Sequence, residues 1–522
     1  MSERVHKSIL NAEVNLLFFF LSLFFAFFSR KIFLDCLGAD FIGLTGTLGN
    51  ILGYLNLAEL GIGSCISFFL YKPLQSNDRT SINEIMSAFG YLYQCIGSAI
   101  FVGGIIISLF FPLFFGDKEI DLGIVYFSFY SFLGSSLIGY FINYRQILLS
   151  ADQKKYVVTL YLQSATLTKT ALQIFLAYYY KNYYVWVAIE FLFGIIACII
   201  LNLKIDKEYP WLKPNKQSGR IILKKYPDIL KKTRQIFIHR LKTFITERSD
   251  ELFIFAFVSL KMVAYYGNYT MIVAKISLLF SSILDSFGAG IGNLIAEGNK
   301  QNIMKVFWEL NTIMHFVAGV IFFGIYQFIE PFISIWLGPE YILGRDILLL
   351  LCIIRYFNAS RVIVQVFSSA HGLFADVWAA WTELAINVII TIIAGYYWGI
   401  LGILLGKVIS IGFIALLWKP YYLFTSGLHE SYLSYWSGTS RSIFVSIISF
   451  AATHLLLQFA PIDASESYWS WFGYCAIGMS LYLSINLVLI ILFCKGAKDS
   501  IQRIKTMFLK NEKKKKEKTL YE

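Results

Sequence analysis

Apolar stretches of membrane-spanning length recur along the whole chain, separated by short charged punctuation. A helix crossing a hydrocarbon core of roughly 30 Å needs about 20 residues. Reading apolar windows against charges gives about fourteen spans, near 14–36, 41–70, 83–115, 121–149, 156–180, 184–203, 236–259, 263–296, 305–329, 343–370, 374–395, 398–424, 441–460 and 468–494. No barrel-like alternation runs through them, so the predicted fold class is all-α and polytopic. One span poses a question. GYLNLAELGIGSCISFFLYKPL, from Gly53 to Leu74, carries Glu59 amid glycines and small polar residues.

The polar punctuation orients the spans. With the N-terminus inside, Lys72, Arg79, Lys154, Lys155, Lys300, Lys305, Lys419 and Arg441 fall in cytoplasmic loops, together with basic clusters at 204–234 and from Lys495 to the end. The opposite loops keep mostly acids, as in GDKEID (Gly116 to Asp121), LGPEY (Leu337 to Tyr341) and APIDASESY (Ala460 to Tyr468). Both termini are then cytoplasmic. The longest polar interruption carries Pro210, Pro214 and Pro227, as a hinge between halves would. A short repeat supports that division: Gly61-x-Gly63 and Gly290-x-Gly292 each stand late in the second span of a half. The predicted organisation is an N-terminal six-helix bundle (1–205), a basic cytoplasmic linker (206–235), a C-terminal six-helix bundle (236–424), two additional helices (425–494) and a basic tail (495–522). The two bundles would be pseudo-symmetric about a central cavity.

Composition removes the soluble classes. The chain is 57% hydrophobic and 15% charged, with a mean hydropathy of +0.63, outside the usage of soluble domains. The first apolar run follows Arg4 and Lys7 but lacks a small-residue cleavage motif, and is expected to be a retained span. Seven scattered cysteines suggest neither a disulfide framework nor a metal site. The formal charge of +12 belongs to the cytoplasmic clusters rather than to a nucleic-acid surface. No nucleophile elbow, HExxH or Cys-x-x-Cys occurs, and GILLGKV (Gly402 to Val408) is one residue short of a phosphate loop. An enzyme is not expected, nor is any cofactor.

Candidate chemistry lies in polar residues within spans. Helical spacing puts Asn56, Glu59, Gly63 and Ser67 on one arc of span two, Lys275, Ser282, Ser286 and Asn293 on one stripe of span eight, and Arg355, Asn358, Arg361 and Gln365 on one side of span ten. Span seven carries His239, Arg240, Lys242, Glu247, Arg248, Asp250 and Glu251, span one Arg30, Lys31 and Asp35, and span five Lys169. A charge at the bilayer centre costs about 2.5–3.5 kcal/mol on insertion scales, so several per half point to a hydrated interior. Other uses compete. Arg30, Lys31, Arg240 and Lys242 also suit snorkelling to headgroups, Glu247 with Arg248 or Asp250 suits a structural ion pair, and the Gly-x-Gly and Gly402-x-x-x-Gly406 patterns suit close helix packing.

Arg30 followed by LGADFIGLTGTLGNILGYLNLAELGIGSCISFFLYKPL (Leu37 to Leu74) resembles the start of bacterial polysaccharide transporters of the Wzx, or O-antigen flippase, type. These belong to the multidrug, oligosaccharidyl-lipid and polysaccharide exporter superfamily. The resemblance implies two six-helix bundles, often with two further helices, in the bacterial inner membrane. It implies a flippase moving undecaprenyl-pyrophosphate-linked oligosaccharide to the outer leaflet, working with a polysaccharide polymerase and a chain-length regulator as possible partners. Arg30 matches a span-one arginine that lies in the cavity of related lipid II flippases, although Lys31 and Asp35 depart from that pattern. Under this expectation Arg30, Lys169, Lys275, Arg355, Arg361, Asn358 and Gln365 bind substrate. Glu59, Glu247 and Asp250 are cavity acids for coupling to H⁺ or Na⁺, or for pairing with the cations between cycles. A multidrug cation antiporter of the same superfamily and a non-transporting membrane scaffold are the alternatives.

Overall fold

In the computed structural model, residues 3–59, 62–116, 120–152, 154–226, 248–284, 297–373 and 376–500 are described, with isolated positions at 241, 245, 291, 294, 295 and 502. These residues are helical almost throughout, and ten of the helices are long and apolar enough to cross a membrane. The chain divides into two compact units, Met1–Gly267 and Asn268–Glu522.

The first unit runs through α1 (Glu3–Leu37), α2 (Ala39–Leu55), a 3₁₀ turn (Asn56–Glu59), α3 (Ile62–Gln75), α4 (Arg79–Ser108), α5 (Phe111–Phe115), α6 (Leu122–Phe141), α7 (Gln146–Ala151), α8 (Lys155–Tyr180), α9 (Tyr183–Glu208) and α10 (Gly219–Lys225). Helical residues 248–257 (α11) and the start of α12 (Leu260–Leu284) complete it. Local chemistry sets the helix ends. Asp78 caps α4 by accepting from the Ser81 amide at 3.0 Å, and Asn182 caps α9 through the Tyr184 amide at 2.8 Å. Packing runs α1 on α8, α8 on α9, α9 on α6 and α6 on α4. On α1, Leu17, Phe20 and Phe24 stay more than half exposed, as expected where lipid rather than protein is the solvent. The basic stretch after α9 folds back on α4: Asn83 Oδ1 accepts from the Lys213 amide at 2.7 Å and Ser87 Oγ from the Asn215 amide at 2.8 Å.

The second unit holds the rest of α12, then α13 (Lys300–Trp336), α14 (Arg345–Ser360), α15 (Val362–Ala370), α16 (Val377–Trp398) and α17 (Ile400–Ile411). After α17 come π-helical turns flanking α18 (Lys419–Tyr422), then α19 (Tyr432–Leu457) and α20 (Tyr468–Phe493). Gly399, at φ +56° and ψ −131°, makes the reversal between α16 and α17, a conformation that a side chain would strain. Beyond it the two backbones touch. A Cβ built on Gly402 would lie 1.9 Å from the Ala394 carbonyl oxygen, and one on Gly406 would lie 2.4 Å from Thr391 Oγ1, so this spacing serves close helix packing.

The helix pair α19 and α20 docks on α13 through a polar seam. α19 buries Thr439, Ser446, Ser449 and Thr453 on one stripe, and α13 buries Asn311, Thr312 and His315. Asn311 donates to Thr439 at 3.3 Å, Thr312 to the Lys495 carbonyl at 2.6 Å, and His315 Nδ1 lies 2.9 Å from the Tyr356 hydroxyl. Gly319 keeps the α13 backbone low enough for Tyr482 of α20, whose hydroxyl would stand 2.4 Å from a Cβ there.

Candidate functional site

Span two is not one helix. α2 ends at Leu55, the chain tightens into the 3₁₀ turn Asn56–Glu59, and α3 starts at Ile62. This change of pitch falls within the expected arc of Asn56, Glu59, Gly63 and Ser67. Asn56 Oδ1 accepts from Ser136 Oγ and the Tyr140 hydroxyl, both at 3.1 Å. The side chain of Glu59 lies outside the described residues, as do Glu247, His239, Arg240, Lys242, Ser286 and Asn293 and the side chain of Ser282.

A charged nexus forms where α2 meets α11 and α12 in the first unit. A Cβ on Gly43 would sit 2.0 Å from the Leu260 carbonyl oxygen, and one on Gly46 would meet Glu251 Oε2 at 3.6 Å, so the glycines let α2 approach closely. Buried Asn50 then donates to Glu251 Oε2 at 2.5 Å and accepts from Arg248 Nη1 at 3.4 Å. Asp250, 5% exposed, accepts from the Tyr266 hydroxyl at 2.8 Å. Arg30 of α1 donates from Nη2 to the Ala264 carbonyl at 2.9 Å. Its guanidinium thus reaches the α12 backbone. Arg248 is exposed while its acidic neighbours are held, which leaves a guanidinium able to meet an anion.

Lys169 sits differently from expectation. Its Nζ bonds Glu190 Oε1 at 2.5 Å, and Gln173 donates to the other carboxylate oxygen at 3.1 Å, so α8 and α9 share a closed ion pair. Lys31 pairs with Asp35 at 3.4 Å on the exposed side of α1, a contact of small energetic weight.

In the second unit Arg355 stands on α14, and its Nε is shielded from solvent without a hydrogen-bond partner. Arg361, at the junction of α14 and α15, reaches Glu383 of α16 at 3.6 Å. Helical i→i−4 bonds continue through Arg361, and along the expected Arg355 to Gln365 stripe Asn358 is half-buried and Gln365 exposed. Lys275, on α12, is half-buried. Glu383, Asn387 and Thr391 line a buried polar stripe of α16, and Lys407 is buried on α17 opposite. Sequence reasoning passed over Asn50, Glu190, Glu383 and Lys407. The i, i+4, i+8 spacing of Glu383, Asn387 and Thr391 was the available signal, as was a lysine standing alone in GILLGKV.

No family model matches the sequence, and no curated protein matches it. The structure does have solved counterparts. It aligns with the lipid II flippase MurJ in an inward closed conformation at a TM-score of 0.62 and 16% identity, covering 92% of this chain and 99% of that one. It aligns with an inward-facing multidrug resistance MATE family transporter of the MOP superfamily at 0.61 and 14% identity, covering 81% and 98%. A MOP superfamily transporter from Pyrococcus furiosus, described by the reversed polarity of its binding pocket, aligns at 0.50 and 14% identity over 81% and 95%. The chain shares its fold with the lipid II flippase MurJ and with the MATE family transporter.

Proposed function

We propose that this protein is a lipid-linked oligosaccharide flippase, moving undecaprenyl-pyrophosphate-linked repeat units from the cytoplasmic to the periplasmic leaflet for polysaccharide biosynthesis. The observation that carries the proposal is the likeness to a flippase of lipid II over 92% of the chain. The charge inventory supports it. A sugar hydroxyl taken unpaired into hydrocarbon costs about 2–7 kcal/mol, so a polar route is required. A pyrophosphate calls for guanidinium groups with free donors. Each unit supplies its own guanidinium, exposed Arg248 in the first and half-buried Arg355 in the second. Lys169 is committed to Glu190, so it serves the bundle instead. An inside-negative potential assists outward movement of the anionic head by about 2.3 kcal/mol per charge per 100 mV.

Buried Asp250 and Glu383 favour a second reading, a multidrug cation antiporter coupled to H⁺ or Na⁺. Proteoliposomes separate the two. Fluorescent undecaprenyl-pyrophosphate oligosaccharide should become accessible to an external quencher, and Arg355→Ala should slow this by about tenfold or more, Arg355→Lys by less. Full activity in Arg355→Ala removes the residue from the route. Ethidium extrusion without lipid movement replaces the flippase with the antiporter.

A further inference from the structure

A cavity of about 270 Å³ lies within the second unit, where the end of α13 meets the segment joining α19 to α20. Within that unit, none of Lys275, Arg355 and Arg361 lines it. From α13 come Tyr326, Gln327 and Glu330, from α20 comes Tyr474, and Arg345 and Asp463 stand on flanking segments. These neighbours belong to the loops that the charge distribution assigns to the side opposite the basic clusters.

The wall is held rigidly. Gln327 donates to the Tyr474 hydroxyl and accepts from His454 Nδ1 at 2.9 Å, so both ends of its amide are occupied. Trp471 Nε1 donates to the Phe328 carbonyl at 3.0 Å and pins α20 to α13. Asp463 Oδ1 is taken by Ser465, through its amide at 2.9 Å and its hydroxyl at 2.6 Å.

What remains open is acceptor capacity. Glu330 keeps only 13% of its side chain exposed. Its Oε2 stands 3.7 Å from Arg345 Nε, while Oε1 is shielded from solvent and has no hydrogen-bond partner. A buried carboxylate oxygen without a donor is costly, and a ligand O–H or N–H removes that cost. Two carboxylates against one guanidinium disfavour an anion, so the pyrophosphate is not the occupant. The aromatic faces of Tyr326 and Tyr474 beside acceptors suit a ring with apolar C–H faces and a rim of hydroxyl donors. The volume lies below the roughly 300–1,000 Å³ of drug-sized pockets, which allows one ring and not two.

We propose that this cavity is a saccharide subsite for a single uncharged pyranose, with Glu330 accepting from ring hydroxyls and the two tyrosines bounding the ring. The choice of a sugar rests on the flippase reading, because that reading supplies a glycan headgroup.

The test uses the full-length protein in lipid nanodiscs, with methyl glycosides of hexoses and N-acetylhexosamines as probes. Saturation-transfer NMR reads binding, and the quenching assay for lipid movement runs in parallel. At least one glycoside should bind saturably in the millimolar range. Glu330→Ala should weaken it tenfold or more, and Asp463→Ala, on an exposed loop, should weaken it severalfold. If Glu330→Ala loses its monodisperse elution profile, Glu330→Gln and Asp463→Ala carry the comparison. No glycoside binding, binding indifferent to these variants, or binding of tetramethylammonium in place of sugars overturns the subsite. Lipid movement without glycoside binding sinks the subsite alone, whereas glycoside binding without lipid movement sinks the flippase alone.

Discussion

Lys169 shows why a polar residue in an apolar span is an ambiguous sign. Its spacing on α8 gave no indication of Glu190, because the partner arrives from a neighbouring helix 21 residues later. A charge-assisted hydrogen bond contributes about 1.5–3 kcal/mol, and leaving one partner alone costs more than removing both. Lys169→Met is therefore expected to lower the melting temperature in detergent clearly, and Lys169→Met with Glu190→Met should recover most of the loss. Lipid movement retained in the double variant would confirm a role in packing. Asn50 is the converse case. It stands in the quoted stretch between Leu37 and Leu74, but its neighbours Arg248 and Glu251 are about two hundred residues away, so only the fold joins them. Asn50→Ala should cost about 1–3 kcal/mol by stranding Glu251. Asn50→Asp should cost more, since it sets a second carboxylate against the first, and thermal unfolding of the two variants side by side checks the order.

At the level of the element, hydropathy located most helices closely and failed where local geometry overrides it. The run from 41 to 70 reads as one apolar helix, yet it divides into α2, a 3₁₀ turn and α3, with Asn56 at the turn accepting from Ser136 and Tyr140. Glycine spacing was more legible. Gly402 was read as a packing residue, and its contact with the Ala394 carbonyl makes Gly402→Leu incompatible with the α16 and α17 pairing. Monodisperse protein should be lost in Gly402→Leu and kept in Gly412→Ala, whose nearest neighbour stands 4.0 Å from the added carbon. The junction before α8 adds a pH signature. Burial would lower the Lys154 pKa, but hydrogen bonds to Asp152 and Glu208 outweigh it and raise it above the usual lysine value. A raised lysine contributes stability below its unfolded pKa and loses it as the pH climbs through the folded value. Lys154→Ala should thus be less stable than the parent near pH 8, with the difference closing only in strongly alkaline buffer, as read by melting curves across that range.

For the molecule as a whole, the helical class follows from long-wavelength features of the sequence, which single substitutions barely alter, whereas ten of the described helices meet the length and hydropathy for crossing where fourteen spans are expected. Sites do not follow from such features, because they depend on which helices become neighbours. The first compact unit extends to Gly267 and so takes in α11, which the polar linker at 206–235 would assign to the second half. The nexus of Asn50, Arg248 and Glu251 exists for that reason. The terminal helix pair is bound to its unit in a similar way. Truncation after residue 430 would expose Asn311, Thr312 and His315 on α13 to hydrocarbon, so aggregated protein is expected on size exclusion, and a well-behaved truncation would show that the pair is dispensable.

The seam beneath that pair carries a consequence for anyone recombining this molecule with its structural counterparts. Hydroxyls and amides match at fixed heights, Asn311 with Thr439 and, through Tyr356 of α14, His315 with Ser446, so sliding α19 by one turn, about 5.4 Å, would mismatch both links at once. Greasy surfaces tolerate such slippage, but a notched key does not. Chimaeras that import a foreign terminal hairpin should succeed only when the matching teeth of α13 travel with it.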